Sequence, residues 1–109
     1  MGKKAIPDEV RQQAEEVVQR FNQEVLGRRA VRYVPRFKGS YLYLDRQAAR
    51  APSPICRLKY TGSFDKWEFA IFKYSSESYD AHEWMFPGSG FVDGTIEGAM
   101  RAGLSAYPA

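Results

Sequence analysis

The alternation of hydrophobic and polar positions is clearest between residues 55 and 74. Two runs rich in aromatic and branched side chains, residues 55–60 and 67–74, flank a segment of Thr, Gly, Ser, Phe, Asp and Lys. This pattern is typical of a β-hairpin. In the first run apolar and basic residues alternate, with Cys56, Leu58 and Tyr60 against Arg57 and Lys59. The first strand is therefore expected to have one dry face and one basic face.

The second run of the hairpin has apolar residues on both faces. Trp67, Phe69 and Ile71 would lie on one side and Ala70, Phe72 and Tyr74 on the other. Such a strand is either covered on both faces or exposes aromatic side chains for binding. The pattern leaves open which of its faces is buried.

The N-terminal part of the chain has the spacing of an amphipathic helix. Pro7 suits a first helical turn, and the acidic residues after it suit the positive end of the helix dipole. Apolar residues then recur at intervals of three or four, at Val10, Ala14, Val17, Phe21 and Val25. Because Gly27 is expected to end the helix, the pattern predicts one helix over residues 7–26 with a core-facing stripe.

Two further alternating runs precede the hairpin. In residues 30–38 apolar side chains alternate with basic ones, and Pro35 indicates an edge or bulged strand because proline cannot donate a ladder hydrogen bond. A Gly-Ser turn leads into a strand over residues 41–46, in which tyrosines alternate with leucines. Two prolines and several small residues predict a loop over residues 47–54.

The C-terminal part is less regular. Residues 75–92 lack clean periodicity, and a loop of that length in a compact domain usually has a function or contains a short element. Its aromatic residues favour an ordered segment packed on the core. Asp93 is expected to cap a closing helix, whose apolar stripe runs from Ile96 to Tyr107.

The predicted elements form an α+β fold with two layers. A helix is followed by a four-stranded antiparallel meander, a long loop and a C-terminal helix. Since sequential strands usually pair with each other, both helices are expected to pack on one face of the sheet. The other face is then left to water or to a ligand.

Length and composition limit the class of protein. With 109 residues, 44% of them hydrophobic, the chain is expected to form one domain over residues 1–109, with residues 1–6 as a disordered tail. A single cysteine, Cys56, excludes an internal disulfide and favours a reducing cytoplasmic setting. The residue pattern predicts neither a signal peptide nor a membrane span.

Charge is distributed unevenly, although the net charge is only +3. Residues 28–60 contain 9 basic and 1 acidic side chain, whereas residues 1–27 contain 4 and 5, and residues 61–109 contain 3 and 7. The middle of the chain is therefore a basic block, and it coincides with the predicted strands.

The basic block combined with aromatic residues predicts a nucleic-acid-binding sheet face. Guanidinium and ammonium groups neutralise phosphates, and aromatic rings can stack on unpaired bases. The candidate residues share the face opposite the helices: Arg32, Arg36, Lys38, Tyr41, Tyr43, Arg57, Lys59 and Trp67. Single-stranded nucleic acid is the expected ligand. The alternative is an ordinary wet sheet face that carries Arg and Lys for solubility.

Other candidate chemistry is weaker. His82 lies between Asp80 and Glu83, but without a second histidine or another cysteine no metal site is expected. Cys56 falls on an apolar strand face, where it is expected to be an inert thiol. The protein is therefore predicted to be non-enzymatic and without a cofactor. The alternative function is a protein-interaction or homodimerisation module, with residues 67–74 or 84–86 as its surface.

Overall fold

The computed structural model describes residues 5–48 and 52–108, which form a five-stranded sheet with helices at both ends of the chain. The helices are α1 (Asp8–Phe21), which continues as a π-helical segment (Asn22–Leu26), and α2 (Ile96–Ala106), which follows a short 3₁₀ turn (Ser89–Phe91). The strands are β1 (Arg32–Lys38), β2 (Tyr41–Gln47), β3 (Ser53–Lys59), β4 (Glu68–Lys73) and β5 (Ser78–Asp80).

The strands form an antiparallel meander in the order β1-β2-β3-β4-β5. Both helices pack on the sheet, α1 on β1 and α2 on β3, and they also contact each other. The predicted α+β fold is confirmed. The sequence predicted four strands, and the fifth lies within residues 75–92, which were expected to be a loop. Within the described residues, no helix is both long and apolar enough to cross a membrane.

The first helix follows the predicted bounds closely. Its buried positions include Ala14, Val18 and Phe21, and its π-helical continuation ends before Gly27, which has a φ of 50°. Ile6 was expected to belong to a disordered tail, but this residue is only 3% exposed and its N–H donates to the Gly39 carbonyl at 3.0 Å. Residues 1–4 of that predicted tail lie outside the described residues.

Tyr33 on β1 joins the sheet to both helices. Its hydroxyl donates to the Met100 carbonyl of α2 at 2.7 Å, and its ring meets that of Phe21 edge-on. The Asn22 side chain forms two hydrogen bonds with the Tyr33 backbone, donating to the carbonyl and accepting from the N–H. A Cβ at Gly103 would lie 2.5 Å from the Tyr33 hydroxyl, so only glycine lets α2 approach this closely.

The hairpin strand β4 is covered on both faces near its centre. Phe69 lies on the helix side, where its ring stacks on Phe86 with centroids 5.9 Å apart. Ala70 points to the opposite side and is still only 2% exposed. Phe72, also on that side, packs against Tyr79 of β5. Strand β5 therefore covers apolar side chains of β4 that would otherwise be exposed to solvent.

The start of β3 differs from the sequence prediction. Residues 47–54 were expected to be a loop, but Gln47 ends β2 and Pro54 lies inside β3 opposite Asp45. The pairing register shifts between Leu44 and Asp45, and such an irregularity accommodates a residue that cannot donate a ladder hydrogen bond. Residues 49–51 lie outside the described residues.

The second helix starts later than predicted. Thr95, not Asp93, is the N-cap, because its hydroxyl accepts the Gly98 N–H at 2.9 Å. The Asp93 carboxylate instead accepts the N–H and hydroxyl of Thr95, and these bonds hold the pKa of Asp93 below its usual value. Asp93 thus shapes the turn that presents Thr95 to the helix.

Candidate nucleic-acid interface

The side chains that point away from α1 and α2 form the helix-free face of the sheet. Strand register arranges six of them in two rows, each with a cation on β1, a tyrosine on β2 and a cation on β3. The first row is Arg36, Tyr43 and Arg57, and the second is Lys38, Tyr41 and Lys59. Strand spacing places the two cations of one row about 10 Å apart at their Cα atoms, and the rows lie about 7 Å apart. We call these the two cation–tyrosine rows.

Guanidinium groups lie over the tyrosine rings of these rows. The Arg36 Cζ is 4.4 Å from the Tyr43 ring centroid. The Arg57 Cζ is 4.6 Å from the Tyr41 centroid and 5.3 Å from that of Tyr79. A guanidinium at this distance from a ring is attracted by the ring's π electrons and has less rotamer freedom. The rings therefore orient the arginines on the face.

Tyr79 on β5 is a member of this cluster that the sequence did not indicate. Its ring contacts Tyr43 and Phe72 edge-on, at centroid distances of 5.3 and 5.0 Å. Burial raises the pKa of Tyr79 and Asp45 raises it further, while Arg36 opposes the shift. A three-residue strand is too short to show alternation, so only the pairing of β4 with β5 places Tyr79 here.

Two carboxylates border the cations. Asp45 forms an ion pair with Arg36 at 3.1 Å, and this hydrogen bond raises the pKa of Arg36. Glu68 on β4 lies opposite Lys59 in the register. Arg57 forms no ion pair within the described residues. The basic surface is therefore smaller than the charge count of the sequence suggests, and it centres on Arg57 and Lys38.

Two of the predicted site residues lie apart from the rows. Arg32 faces the same side as Arg36, but it pairs with Gln47 at the far end of β1, beyond the pair formed by Val34 and Asp45. Arg32 is exposed but does not extend either row.

The placement of Trp67 on this face was wrong. Trp67 is only 3% exposed, and its ring contacts Tyr60 at a centroid distance of 5.1 Å. Its indole N–H donates to the Phe64 carbonyl at 2.8 Å, and its backbone N–H donates to Gly94, which has a φ of 90°. Trp67 cannot stack on a base, since the core holds its ring. Any aromatic contribution of the face comes from tyrosines.

The acidic residues near His82 have a structural partner. The Lys73 ammonium lies 2.9 Å from Glu83 and 3.6 Å from Asp80, and this contact lowers the pKa of Glu83. The His82 N–H donates to the Asp80 carboxylate at 2.9 Å. Within the described residues no group of three His, Cys, Asp or Glu side chains could hold a metal ion.

Cys56 is fully buried in the sheet. It pairs with Leu44 on one side and Ile71 on the other, and burial raises the pKa of its thiol. A thiol held neutral and away from solvent is a poor nucleophile. This environment is that of a small core residue.

A second surface is apolar and belongs to the segment that follows β5 in the sequence. Trp84 is 58% exposed and Met85 is 92% exposed, whereas Phe86 next to them packs on the core. A cavity of about 290 Å³ lies beside Met85, between Phe86 and Tyr107. Of the two interaction surfaces considered from sequence, residues 67–74 are mostly buried and residues 84–86 expose two large side chains.

Comparison with protein-family models, with curated proteins and with solved structures finds no significant match to this chain. The function is therefore inferred from the geometry of the two surfaces just described. The helix-free face offers charge and ordered arginines. The segment beyond β5 offers exposed apolar area.

Proposed function

We propose that this protein is a non-enzymatic nucleic-acid-binding domain that holds a single strand on its helix-free face. The observation that carries this proposal is the pair of cation–tyrosine rows across β1, β2 and β3. Regularly spaced cations on an open sheet match the regularly spaced phosphates of a nucleic acid. An ordinary solubilising surface does not need guanidinium groups ordered on aromatic rings.

The charge of the face supports this proposal. Lys38 and Lys59 are exposed at the ends of the second row, and Arg36 keeps half of its side chain exposed despite its ion pair with Asp45. Arg57 is half-buried and contacts two tyrosine rings. It has no carboxylate partner within the described residues. An uncompensated guanidinium attracts a phosphate, and its planar fork can donate two hydrogen bonds to it.

A single strand suits this surface better than a duplex. The two rows cover only three strands of a twisted sheet, so their cations do not lie on a straight line. A flexible strand can adjust its phosphates to them, whereas a duplex holds its phosphates on a rigid cylinder. Open sheet faces also bind single strands in other nucleic-acid-binding folds, where aromatic side chains stack on the bases.

The test is the affinity for a labelled mixed-sequence single-stranded oligonucleotide, measured by fluorescence anisotropy at several salt concentrations. Wild-type affinity is expected to fall steeply between about 50 and 200 mM salt. Arg36→Ala/Arg57→Ala should bind at least about tenfold more weakly with a shallower salt slope. The matched control is Arg20→Ala, which removes an exposed arginine from α1 and should bind like wild type. Equal affinity of the double variant and the control would refute the proposal.

A second candidate function, a protein-interaction or homodimer surface, is favoured by one observation. Trp84 and Met85 expose large apolar side chains. Such side chains are enriched in the cores of protein interfaces. Apolar association should persist at high salt, whereas nucleic-acid binding should weaken, so particle size measured against salt distinguishes the two.

We propose a cytoplasmic location as part of the same function. A lone, fully buried Cys56 suits a reducing compartment, where no disulfide is needed. Fractionation of cells that express the tagged protein checks this location. Recovery from an oxidising compartment would contradict it.

A further inference from the structure

We infer that the helix-free face recognises the sugar-phosphate backbone of its ligand and not its bases. This inference rests on the proposed function and makes it more specific. It predicts binding without sequence preference, in which the tyrosines hold the arginines and do not stack on bases. The sequence alone had suggested the opposite role for Tyr41 and Tyr43.

A guanidinium already lies over the ring of each of the two tyrosines in the rows. Arg36 lies over Tyr43 at 4.4 Å, and Arg57 lies over Tyr41 at 4.6 Å. The Tyr43 ring also contacts the rings of Tyr41 and Tyr79, at centroid distances of 6.1 and 5.3 Å. A base that stacked on either covered face would have to displace a guanidinium from it. That displacement would cost a cation–π contact for each base gained.

Arg57 keeps its donors available in this arrangement, whereas Arg36 donates two hydrogen bonds to Asp45. A guanidinium that lies flat on a ring uses its face for the ring and leaves its N–H edge for hydrogen bonds. Arg57 has ring contacts with Tyr41 and Tyr79, and no carboxylate competes for its donors within the described residues. The Arg57 guanidinium is therefore positioned before phosphate oxygens bind. A surface arginine without such ring contacts would have to be ordered on binding.

The more exposed aromatic rings lie away from the rows. Tyr74 is 48% exposed, but its hydroxyl donates to the Pro54 carbonyl at 2.7 Å and its ring packs on Phe72 and Tyr107. Trp84 is flanked in sequence by Glu83, which pairs with Lys73 of β4, and by Met85, which lines a cavity with Tyr107. A strand held by the two rows would therefore meet cations first, and its bases could point to solvent.

The test compares two single-stranded ligands of equal length and phosphate count on the wild-type protein. One is oligothymidylate, and the other carries abasic spacers at every position. Backbone recognition predicts dissociation constants within about threefold of each other and equal salt slopes. Stacking of even one base would favour oligothymidylate by about 5- to 150-fold, so a preference of about fivefold or more would overturn the inference while leaving the proposed function intact. Absence of binding to both ligands would overturn both.

A variant separates the two roles of the tyrosine ring. Tyr43→Leu removes the ring beneath Arg36 but keeps an apolar side chain on β2. If the ring positions the arginine, affinity for the two ligands should fall by the same factor. A loss confined to oligothymidylate would show that the ring stacks on bases and would contradict the inference. The wild-type comparison does not depend on this variant, so the inference remains testable if the variant fails to fold.

Discussion

Tyrosine and arginine meet on both faces of the sheet, but the two pairs have different surroundings. On the helix side, Arg46 lies 5.7 Å from the Tyr33 ring centroid and donates to the Tyr107 carbonyl. On the helix-free side, Arg36 lies 4.4 Å from the Tyr43 centroid and keeps half of its side chain in solvent. The same two residue types therefore hold a helix in place where a backbone acceptor is close, and form a partly solvated ion pair with Asp45 on the open face.

This difference separates stability from binding. Tyr33 is 1% exposed, and its hydroxyl bonds to α2. Tyr43 is half-buried among side chains of its own face. Substitutions on the helix side should therefore change the free energy of unfolding, and substitutions on the helix-free side should change affinity. Four predictions test this division, from the largest expected effect to the smallest.

The two tryptophans should differ most. Trp67→Ala removes a ring that is 3% exposed and should lower the free energy of unfolding by about 3–5 kcal/mol. Trp84→Ala is the matched control, because its ring is 58% exposed and its loss should change the free energy by less than about 0.5 kcal/mol. Urea denaturation followed by circular dichroism measures both. Equal costs would mean that Trp67 does not belong to the core.

High pH should destabilise the helix side. Burial raises the folded-state pKa of the Cys56 thiol and of the Tyr33 phenol above their unfolded values of about 8.5 and 10. Above each unfolded value, the folded state holds a proton that the unfolded state releases, so the free energy of unfolding falls by about 1.4 kcal/mol per pH unit and group. Below about pH 8.5 this contribution is fully present. Denaturation at a series of pH values measures the decline.

Cys56→Ala provides the control for that pH dependence. It should remove the part of the decline that begins near pH 8.5 and leave the part that begins near pH 10. Only the slopes are compared, since the substitution also changes packing at a fully buried position. An unchanged slope between about pH 8.5 and 10 would show that the thiol titrates similarly in both states.

Removal of one hydroxyl should distinguish the two central tyrosines. Tyr33→Phe leaves the buried Met100 carbonyl without its donor and should cost about 1–2 kcal/mol of unfolding free energy. Tyr43→Phe keeps the ring beneath Arg36 and should cost less than about 0.5 kcal/mol. Thermal denaturation of the two variants side by side checks this pair. A larger cost for Tyr43→Phe would contradict the division between the faces.

Arg36→Ala should have a small effect on stability and a clear effect on binding. The ion pair with Asp45 is exposed on the arginine side, and such pairs contribute about 0–1 kcal/mol. Affinity for single strands should fall by a similar factor for every sequence. The slope of log affinity against log salt concentration should decrease by the amount expected for the loss of about one phosphate contact. Anisotropy with three unrelated sequences measures this. A loss for only one sequence would indicate base recognition.

Much of the fold could be predicted because its elements are amphipathic. The three- and four-residue spacing from Val10 to Val25 predicted the first helix, and alternation predicted β1 to β3. The fifth strand could not be found, since its three residues form a strand only by pairing with β4. The N-cap was misplaced because Asp93 and Thr95 are both good caps, and only tertiary structure decides which one accepts the Gly98 N–H.

The candidate site was predictable where the alternation of side chains along a strand determines which face a residue lies on. In each of the strands β1, β2 and β3, apolar residues that face the helices alternate with residues that face away from them. Alternation therefore places Arg36, Tyr43 and Arg57 on the same face, and the pairing of the strands brings them together. Trp67 precedes a strand that is apolar on both sides, so periodicity could not assign its face. Tyr79 and Asp45 enter the cluster through contacts between strands. Such contacts depend on register and side-chain reach, which a linear pattern does not contain.

The most direct test of the nucleic-acid-binding face is an amide-shift NMR titration of the labelled protein with a mixed-sequence single-stranded oligonucleotide at low and high salt. We expect salt-sensitive shifts in β1, β2, β3 and at Tyr79, with the α1 and α2 amides unchanged. No shifts at low salt, or shifts confined to the segment around Trp84 and Met85, would contradict nucleic-acid binding by the two cation–tyrosine rows.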